Sequence, residues 1–486
     1  MRKLKILRVA LSIALFLATT IFIADTSGML PRHFAFLAKW QILPAVLSFS
    51  IGIILFWTIA TYLFGRVYCS SLCPMGVFQD IFGRIGKMAR KPKNARYHYS
   101  RPLNLLRYAI LAAVVLCLIF GVSVIPALID PYSAYTRMIV DLLQPLVGMS
   151  YNALTASAET IPPAIVAFSG FAGLAVGILT FVIVGILAFR NGRTFCNSVC
   201  PVGSALSIIS RKSVFRMAID SEKCIGCRRC EAICKASCID VKQHKIDTSR
   251  CVLCFDCLTA CHDNAIAYRP ILKTTPKQAA ATDIERRRFA GIVCSAAIGG
   301  IVAKAQNAMN EIDKTAGNSG SPRSRAIAII PPGVESRDSF LLRCTACQLC
   351  VSKCPQDILR PATSEYGLLH AFKPYLDYER SYCLYNCNLC SSVCPTGALR
   401  PLPLEEKRRH PVGKAIFLLE NCVTQTDGVE CGACSRKCPV DAITMVGYGN
   451  TKIPKIDETA CIGCGKCEYV CPASPEKAIY INGLEI

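Results

Sequence analysis

The sequence predicts an α-helical membrane domain joined to α+β ferredoxin-like iron–sulfur domains. Three observations predict it. Long apolar runs occupy only the N-terminal part of the chain. There are 31 cysteines in 486 residues, most of them in tight Cys-x-x-Cys runs. The formal charge is +22, yet residues 306–486 carry 20 Lys+Arg against 19 Asp+Glu, so the excess lies with the apolar runs. With 52% hydrophobic and 18% charged residues the chain is not disordered. A basic half interrupted by apolar spans points to a membrane and not to nucleic acid. So many cysteines in so long a chain are not the disulfide framework of a small secreted domain. The expected division is a four-span domain over 1–216, a two-cluster ferredoxin over 217–275, a linker over 276–340 and a four-cluster unit over 341–486.

In chain order, the runs Ile6–Ala24, Pro44–Phe64, Leu103–Ile129 and Ala164–Phe189 are each long enough to cross about 30 Å of hydrocarbon. Lys and Arg flank them unevenly. Arg2, Lys3, Lys5 and Arg8 precede the first, the loop after the second is strongly basic, and Arg190, Arg193, Arg211, Lys212 and Arg216 follow the fourth. The positive-inside rule then puts both ends of the four-span unit in the cytoplasm. Two near-identical segments follow the second and fourth spans. Gly65-Arg66-Val67-Tyr68-Cys69-Ser70-Ser71-Leu72-Cys73-Pro74 matches Gly192-Arg193-Thr194-Phe195-Cys196-Asn197-Ser198-Val199-Cys200-Pro201. Both emerge on the cytoplasmic face, where Cys69, Cys73, Cys196 and Cys200 form a candidate metal or redox set. The bland alternative is a pair of structural turns with reduced thiols.

Next come Cys224, Cys227, Cys230 and Cys234, then Cys251, Cys254, Cys257 and Cys261, both in the Cys-x-x-Cys-x-x-Cys-x-x-x-Cys run of bacterial ferredoxins. In that fold the fourth cysteine crosses to the other cluster, pairing Cys261 with the first three and Cys234 with the second three. Lys235 and His262 stand where a proline usually follows. Arg286 and Arg287 introduce a short apolar stretch and resemble a twin-arginine export signal, which would place residues 306–486 outside. Four further quartets follow: Cys344, Cys347, Cys350 and Cys354; Cys383, Cys387, Cys390 and Cys394; Cys422, Cys431, Cys434 and Cys438; Cys461, Cys464, Cys467 and Cys471. Tight turns bring three thiolates around one cube and a distant cysteine closes it, a spacing unlike the paired Cys-x-x-Cys of zinc ribbons. Six 4Fe-4S clusters are expected, with a further iron centre open at the paired Cys-Pro motifs. Nested and sequential ligand exchange among the last four quartets both fit the spacing. Cys117, Cys238 and Cys294 are left over, Cys238 as a bystander beside Cys234.

On these motifs residues 1–275 resemble the NapH-type membrane quinol dehydrogenase subunit. Residues 284–486, with Pro331-Pro332-Gly333, Phe340-Leu341-Leu342-Arg343-Cys344 and Cys394-Pro395-Thr396-Gly397, resemble the NapG/MauM-type ferredoxin. The resemblance implies a multi-pass protein of the bacterial cytoplasmic membrane. It would carry electrons from quinol and the quinone pool to a periplasmic reductase or electron carrier, of nitrate or nitrous oxide type. The competing functions are a metallocentre assembly or reduction factor and a membrane redox sensor. No Cys-x-x-Cys-His haem site and no Gly-x-Gly-x-x-Gly dinucleotide loop occurs. For the proton that quinol oxidation releases, His33, Asp130 and Tyr132 are expected on the outer side, and Asp80 and His98 on the inner side. No catalytic residue is singled out among them.

Overall fold

The structure is a computed structural model. It describes residues 2–25, 32–90, 96–120, 122, 124–155, 170–270, 327–362, 366–449 and 451–484. Arg286, Arg287, Cys294 and the fifth apolar run lie outside the described residues, and so does the side chain of His33.

The N-terminal part is helical. Its principal helices are α1 (Arg2–Ala24), α2 (Ile51–Phe64), α3 (Pro74–Ala89), α4 (Asn104–Ile119), α5 (Pro131–Met138), α6 (Gly170–Asn191) and α7 (Pro201–Ser210). Three of them start on a proline at the first helical position, where its missing N–H costs nothing. In α3 and α7 that proline is the one of the repeated Cys-Pro pair, with Cys73 and Cys200 in the extended capping position. In α5 the cap is Asp130, whose carboxylate accepts from the Ser133 amide at 2.7 Å.

Two of the four apolar runs are not the continuous spans expected. Pro44–Phe64 is broken: a helix over Ile42–Leu47 ends in a tight turn with Phe49 left-handed (φ 53), and α2 starts afresh with 14 residues. Leu103–Ile129 divides into the 16-residue α4 and a helix over Val124–Ile129. The pieces are all apolar, so hydropathy runs across the breaks. Two helices, Lys3–Ala24 and Gly173–Asn191, are long and apolar enough to cross a membrane, with only 22% and 28% of their most apolar windows buried. Large apolar side chains such as Leu7, Ile21, Leu55, Leu105, Ile119, Leu179 and Ile186 stand exposed on α1, α2, α4 and α6. A soluble surface seldom tolerates such a belt.

Two-stranded antiparallel sheets build the cysteine-rich parts. In the first dicluster unit, 215–270, β1 (Phe215–Ile219) pairs with β4 (Ile266–Pro270), and β2 (Ile239–Asp240) with β3 (Lys245–Ile246). In the C-terminal unit, 327–484, β5 (Leu359–Pro361) pairs with β6 (Pro374–Leu376), β7 (Gly413–Phe417) with β10 (Ile479–Gly483), and β8 (Ile443–Tyr448) with β9 (Thr451–Ile456). Its two halves share a core. The Tyr378 hydroxyl donates to the Gly463 carbonyl at 2.7 Å, and the Cys383 amide to the Cys464 carbonyl at 2.9 Å.

The two units attach to opposite ends of α1. Near its start Lys5 pairs with Asp256 of the first unit at 2.9 Å. Just past its end Asp25 pairs with Lys353 of the C-terminal unit at 3.1 Å. The twenty residues between Lys5 and Asp25, at 1.5 Å each, separate these points by about 30 Å.

Candidate functional site

The structure gathers the quartet cysteines around separate hollows, each closed by a thiol from a neighbouring run. Cys224, Cys227, Cys230 and Cys261 line one, and Cys234, Cys251, Cys254 and Cys257 another. This is the exchange read from the first pair of runs. In the C-terminal unit the exchange is sequential. Cys354 joins Cys383, Cys387 and Cys390; Cys471 joins Cys422, Cys431 and Cys434; Cys438 joins Cys461, Cys464 and Cys467. Cys394 completes the set with Cys344, Cys347 and Cys350, against Ile330, Phe340 and Leu399. Among the described residues no three His, Cys, Asp or Glu side chains converge to hold a lone metal ion. The thiols ring space fit for a multi-atom cluster.

A recurrent backbone winding sets this geometry. In four runs the residues just before and just after the second cysteine are both left-handed: Gly226 and Arg228, Leu253 and Phe255, Ala346 and Gln348, Gly463 and Gly465. Three residues past the fourth cysteine the same conformation recurs at Ser237, Asn264, Asp357, Gly397 and Asp441. At a non-glycine residue it costs about 1–3 kcal/mol, a strain kept only where it serves something. Here it turns successive amide N–H groups to one side, the arrangement that receives anionic sulfur.

The two Cys-Pro motifs meet, buried where the helical unit packs against the first dicluster unit. Cys69, Cys73, Cys196 and Cys200 are 3–4% exposed and lie within mutual electrostatic reach. The repeat is explained by reciprocal clamping. Arg66 of the first copy donates to the Cys196 carbonyl at 3.2 Å, and Arg193 of the second donates to the Cys69 carbonyl. A Cβ at Gly76 would lie 2.3 Å from the Cys69 oxygen, and one at Gly203 2.4 Å from the Cys196 oxygen, so both positions need glycine. Gln79 Nε2 reaches Cys196 Sγ at 3.0 Å, and the Gly203 amide reaches Cys200 Sγ at 3.3 Å.

The two arginines differ in charge balance. Arg193 forks onto Asp80 at 2.7 and 2.8 Å, and Lys235 of the first dicluster unit joins at 2.8 Å. Burial would raise the Asp80 carboxyl, but Arg193 and then Lys235 overcome it and hold it well below the usual range. Asp80 is thereby held as the shared counter-ion of Arg193 and Lys235. Arg66 is fully buried, and among the described residues its partners are Asn197, the Ser249 and Cys196 carbonyls and Cys69 Sγ, with no carboxylate. A buried guanidinium needs a counter-charge. Burial pushes the Cys73 and Cys200 thiols well up, so unbound they are neutral. Metal-bound thiolates would supply the charge that Arg66 lacks, and the donor set fits such a group.

Toward the other end of the helical unit, the Tyr68 hydroxyl donates to Gln41 Oε1 at 2.6 Å and feels both Cys73 and Asp130. Asp130 is buried, and burial raises its carboxyl to about 6. Tyr132 is buried beside it and feels Cys347. Arg137 donates to the Ala346 carbonyl at 3.3 Å, and Gln144 Nε2 to the Ser352 carbonyl at 3.0 Å. His98 is exposed. The missing proline after Cys234 also has a cause: the Lys235 carbonyl accepts from the Arg193 amide at 2.8 Å while its ammonium holds Asp80. Cys238 is 2% exposed and lines the hollow of Cys234, Cys251, Cys254 and Cys257, with its Sγ 3.6 Å from that of Cys234. Sequence reasoning set it aside because it falls outside the three-plus-one spacing.

A 4Fe-4S binding domain family matches residues 44–93 and 164–219, which contain the paired Cys-Pro motifs. A 4Fe-4S dicluster domain family matches 343–398 and 429–474. The ferredoxin-type protein NapG of Escherichia coli is 35% identical over 159 residues, 31% of this chain and 68% of the relative. The methylamine utilization ferredoxin-type protein MauM of Methylobacillus flagellatus is 34% identical over 171 residues, 34% of this chain and 72% of the relative. An uncharacterized protein of Methanocaldococcus jannaschii is 27% identical over 286 residues, 57% of this chain and 92% of its own length. No solved structure matches the chain.

Proposed function

Since the chain belongs to the family of ferredoxin-type iron–sulfur proteins that includes NapG and MauM, we propose that it is the quinol-oxidising electron-transfer subunit of a respiratory chain. In this reading it spans the cytoplasmic membrane, takes electrons from quinol and passes them to a respiratory reductase or carrier outside. The family supplies iron–sulfur electron transfer. The membrane, the quinol and the direction are our reading.

One observation carries it: α1 bears the first dicluster unit at one end and the C-terminal unit at the other, about 30 Å apart. A helix of that length and hydropathy matches the hydrocarbon thickness. The two units would then face opposite sides, with the four-thiol centre of Cys69, Cys73, Cys196 and Cys200 between them. Clusters held by the six quartets supply one-electron transfer. The chain's own residues do the rest. Arg66 and Arg193 fix the central thiols, the left-handed turns aim amides at each quartet, and Arg137 and Gln144 seat the C-terminal unit on the helical one. Asp130, held protonated below about 6, is suited to exchange a proton near neutral pH.

Reporter fusions at residues 270 and 330 should report opposite sides, and same-side signals would defeat the topology. Anaerobically purified chain should hold about 24 irons for six four-iron clusters and should be reduced by a menaquinol analogue. A chain that holds the iron but never accepts those electrons would leave electron transfer standing and remove the quinol.

A further inference from the structure

The hollow of Cys234, Cys251, Cys254 and Cys257 has five thiols in its wall, not four. Cys238 is the fifth, buried and 3.6 Å from Cys234 Sγ. Its thiol also lies in hydrogen-bond contact with Cys251. It follows the fourth cysteine of its run by four residues, just past the left-handed Ser237. The other five runs provide an internal comparison. At the same offset they carry Ala265, Ile358, Ala398, Ala442 and Pro475. Ala265, Ile358 and Ala442 are each 2% exposed and Ala398 is 5%, so this is a wall position that a small apolar side chain fills adequately. A thiol there is not required by packing.

We infer that Cys238 is a reserve ligand for the group held in this hollow, able to replace Cys234. The exchange is redox-neutral. The iron–sulfur bond to Cys234 breaks, the bond to Cys238 forms, and the proton leaving the Cys238 thiol is taken up by the Cys234 thiolate beside it. The backbone need not rearrange, because both sulfurs already face the same hollow from one short turn. The partner hollow, closed by Cys261, has no such spare: Ala265 stands at its equivalent position. This rests on the reading that the quartets hold four-iron clusters, and it deepens that reading by making one of the six sites tolerant of losing a ligand.

The test compares iron content and the electron paramagnetic resonance of the dithionite-reduced, full-length chain purified anaerobically in detergent. Cys238→Ala installs the residue that three sister runs already have, so it should fold and keep its iron. Cys234→Ala should keep the parent's iron, with a shifted signal from the altered ligand. The double variant should lose about four irons per chain, as should Cys261→Ala. Loss of those irons in Cys234→Ala alone, or their retention in the double variant, overturns the inference while leaving the cluster reading intact. A parent chain without four-iron clusters overturns both, and does so before any variant is made.

Discussion

The two cysteine-rich units use the same winding but are fastened to the helices differently. The first shares the core of the helical unit. Cys230, Cys234, Cys257 and Met217 pack in one continuous cluster with Tyr68, Met75 and Phe195. Its Lys235 completes the charge group of Asp80 and Arg193, and its Ser249 carbonyl accepts from Arg66. The C-terminal unit keeps its own core and lends Cys347, Leu349 and Val393 to the shared one. It is seated chiefly by Arg137 and Gln144 on backbone carbonyls and by Lys353 on Asp25. The difference teaches that the first unit and the central thiols form one structural piece, whereas the C-terminal unit keeps most of its core to itself and docks upon it.

The strongest way to break this comparison is through the central thiols. Cys73→Ser should reduce quinol-dependent reduction of the C-terminal clusters to background, as badly as Cys73→Ser with Cys200→Ser, because residues acting as one unit are non-additive. Signals from the six quartets should persist, and near-normal rates in the single variant would reduce the motifs to turns. Next is Asp80→Ala, which leaves Arg193 buried without its carboxylate. Breaking such a pair costs about 3–5 kcal/mol, and thermal unfolding should show the helical and first units destabilised together while the C-terminal unit keeps its transition. Equal shifts in all three would mean that the bodies are not separate.

A smaller effect is expected at the other seam. Lys353→Ala removes a charged hydrogen bond from the nearly buried pair with Asp25, worth about 1.5–3 kcal/mol. It should increase protease nicking between the bodies without loss of iron, and an unchanged digestion pattern would count against docking through this pair. The mildest concerns acid. Burial, with Arg337 and Lys373 nearby, lowers His370 to about 3 from its usual 6.5. The folded unit therefore holds the ring neutral while the unfolded chain protonates it. Its stability is full above pH 6.5 and falls as pH drops toward 3, by at most about 1.4 kcal/mol per pH unit. His370→Gln should flatten that slope for the C-terminal transition only.

All six quartets were legible because cluster chemistry writes itself into spacing. The exchange of fourth ligands in the C-terminal unit was not. It depends on which halves fold together, a matter of the β5–β6 and β7–β10 pairings and not of any local pattern. Glycine marked the left-handed turns at Gly226, Gly463 and Gly465, but nothing in the letters marks Arg228, Phe255 or Gln348. The break in the third run had a sign in Pro126, which apolar neighbours masked, while nothing in the letters marks the turn at Phe49. Cys238 was visible all along as the one cysteine four places past a quartet's end, but only alignment of the runs against one another brings it out.

The reciprocal clamp also has a consequence in time. Arg66 emerges from the ribosome early, but the carbonyl it grips belongs to a residue 130 places later, and Arg193 reaches back 124 places to Cys69. At about 5–20 residues per second the first pair of thiols waits on the order of ten seconds for its counterpart. Until Cys200 has been made, the centre is an open cup with half its rim. The second copy then arrives as a latch, closing over whatever the first has by then been given.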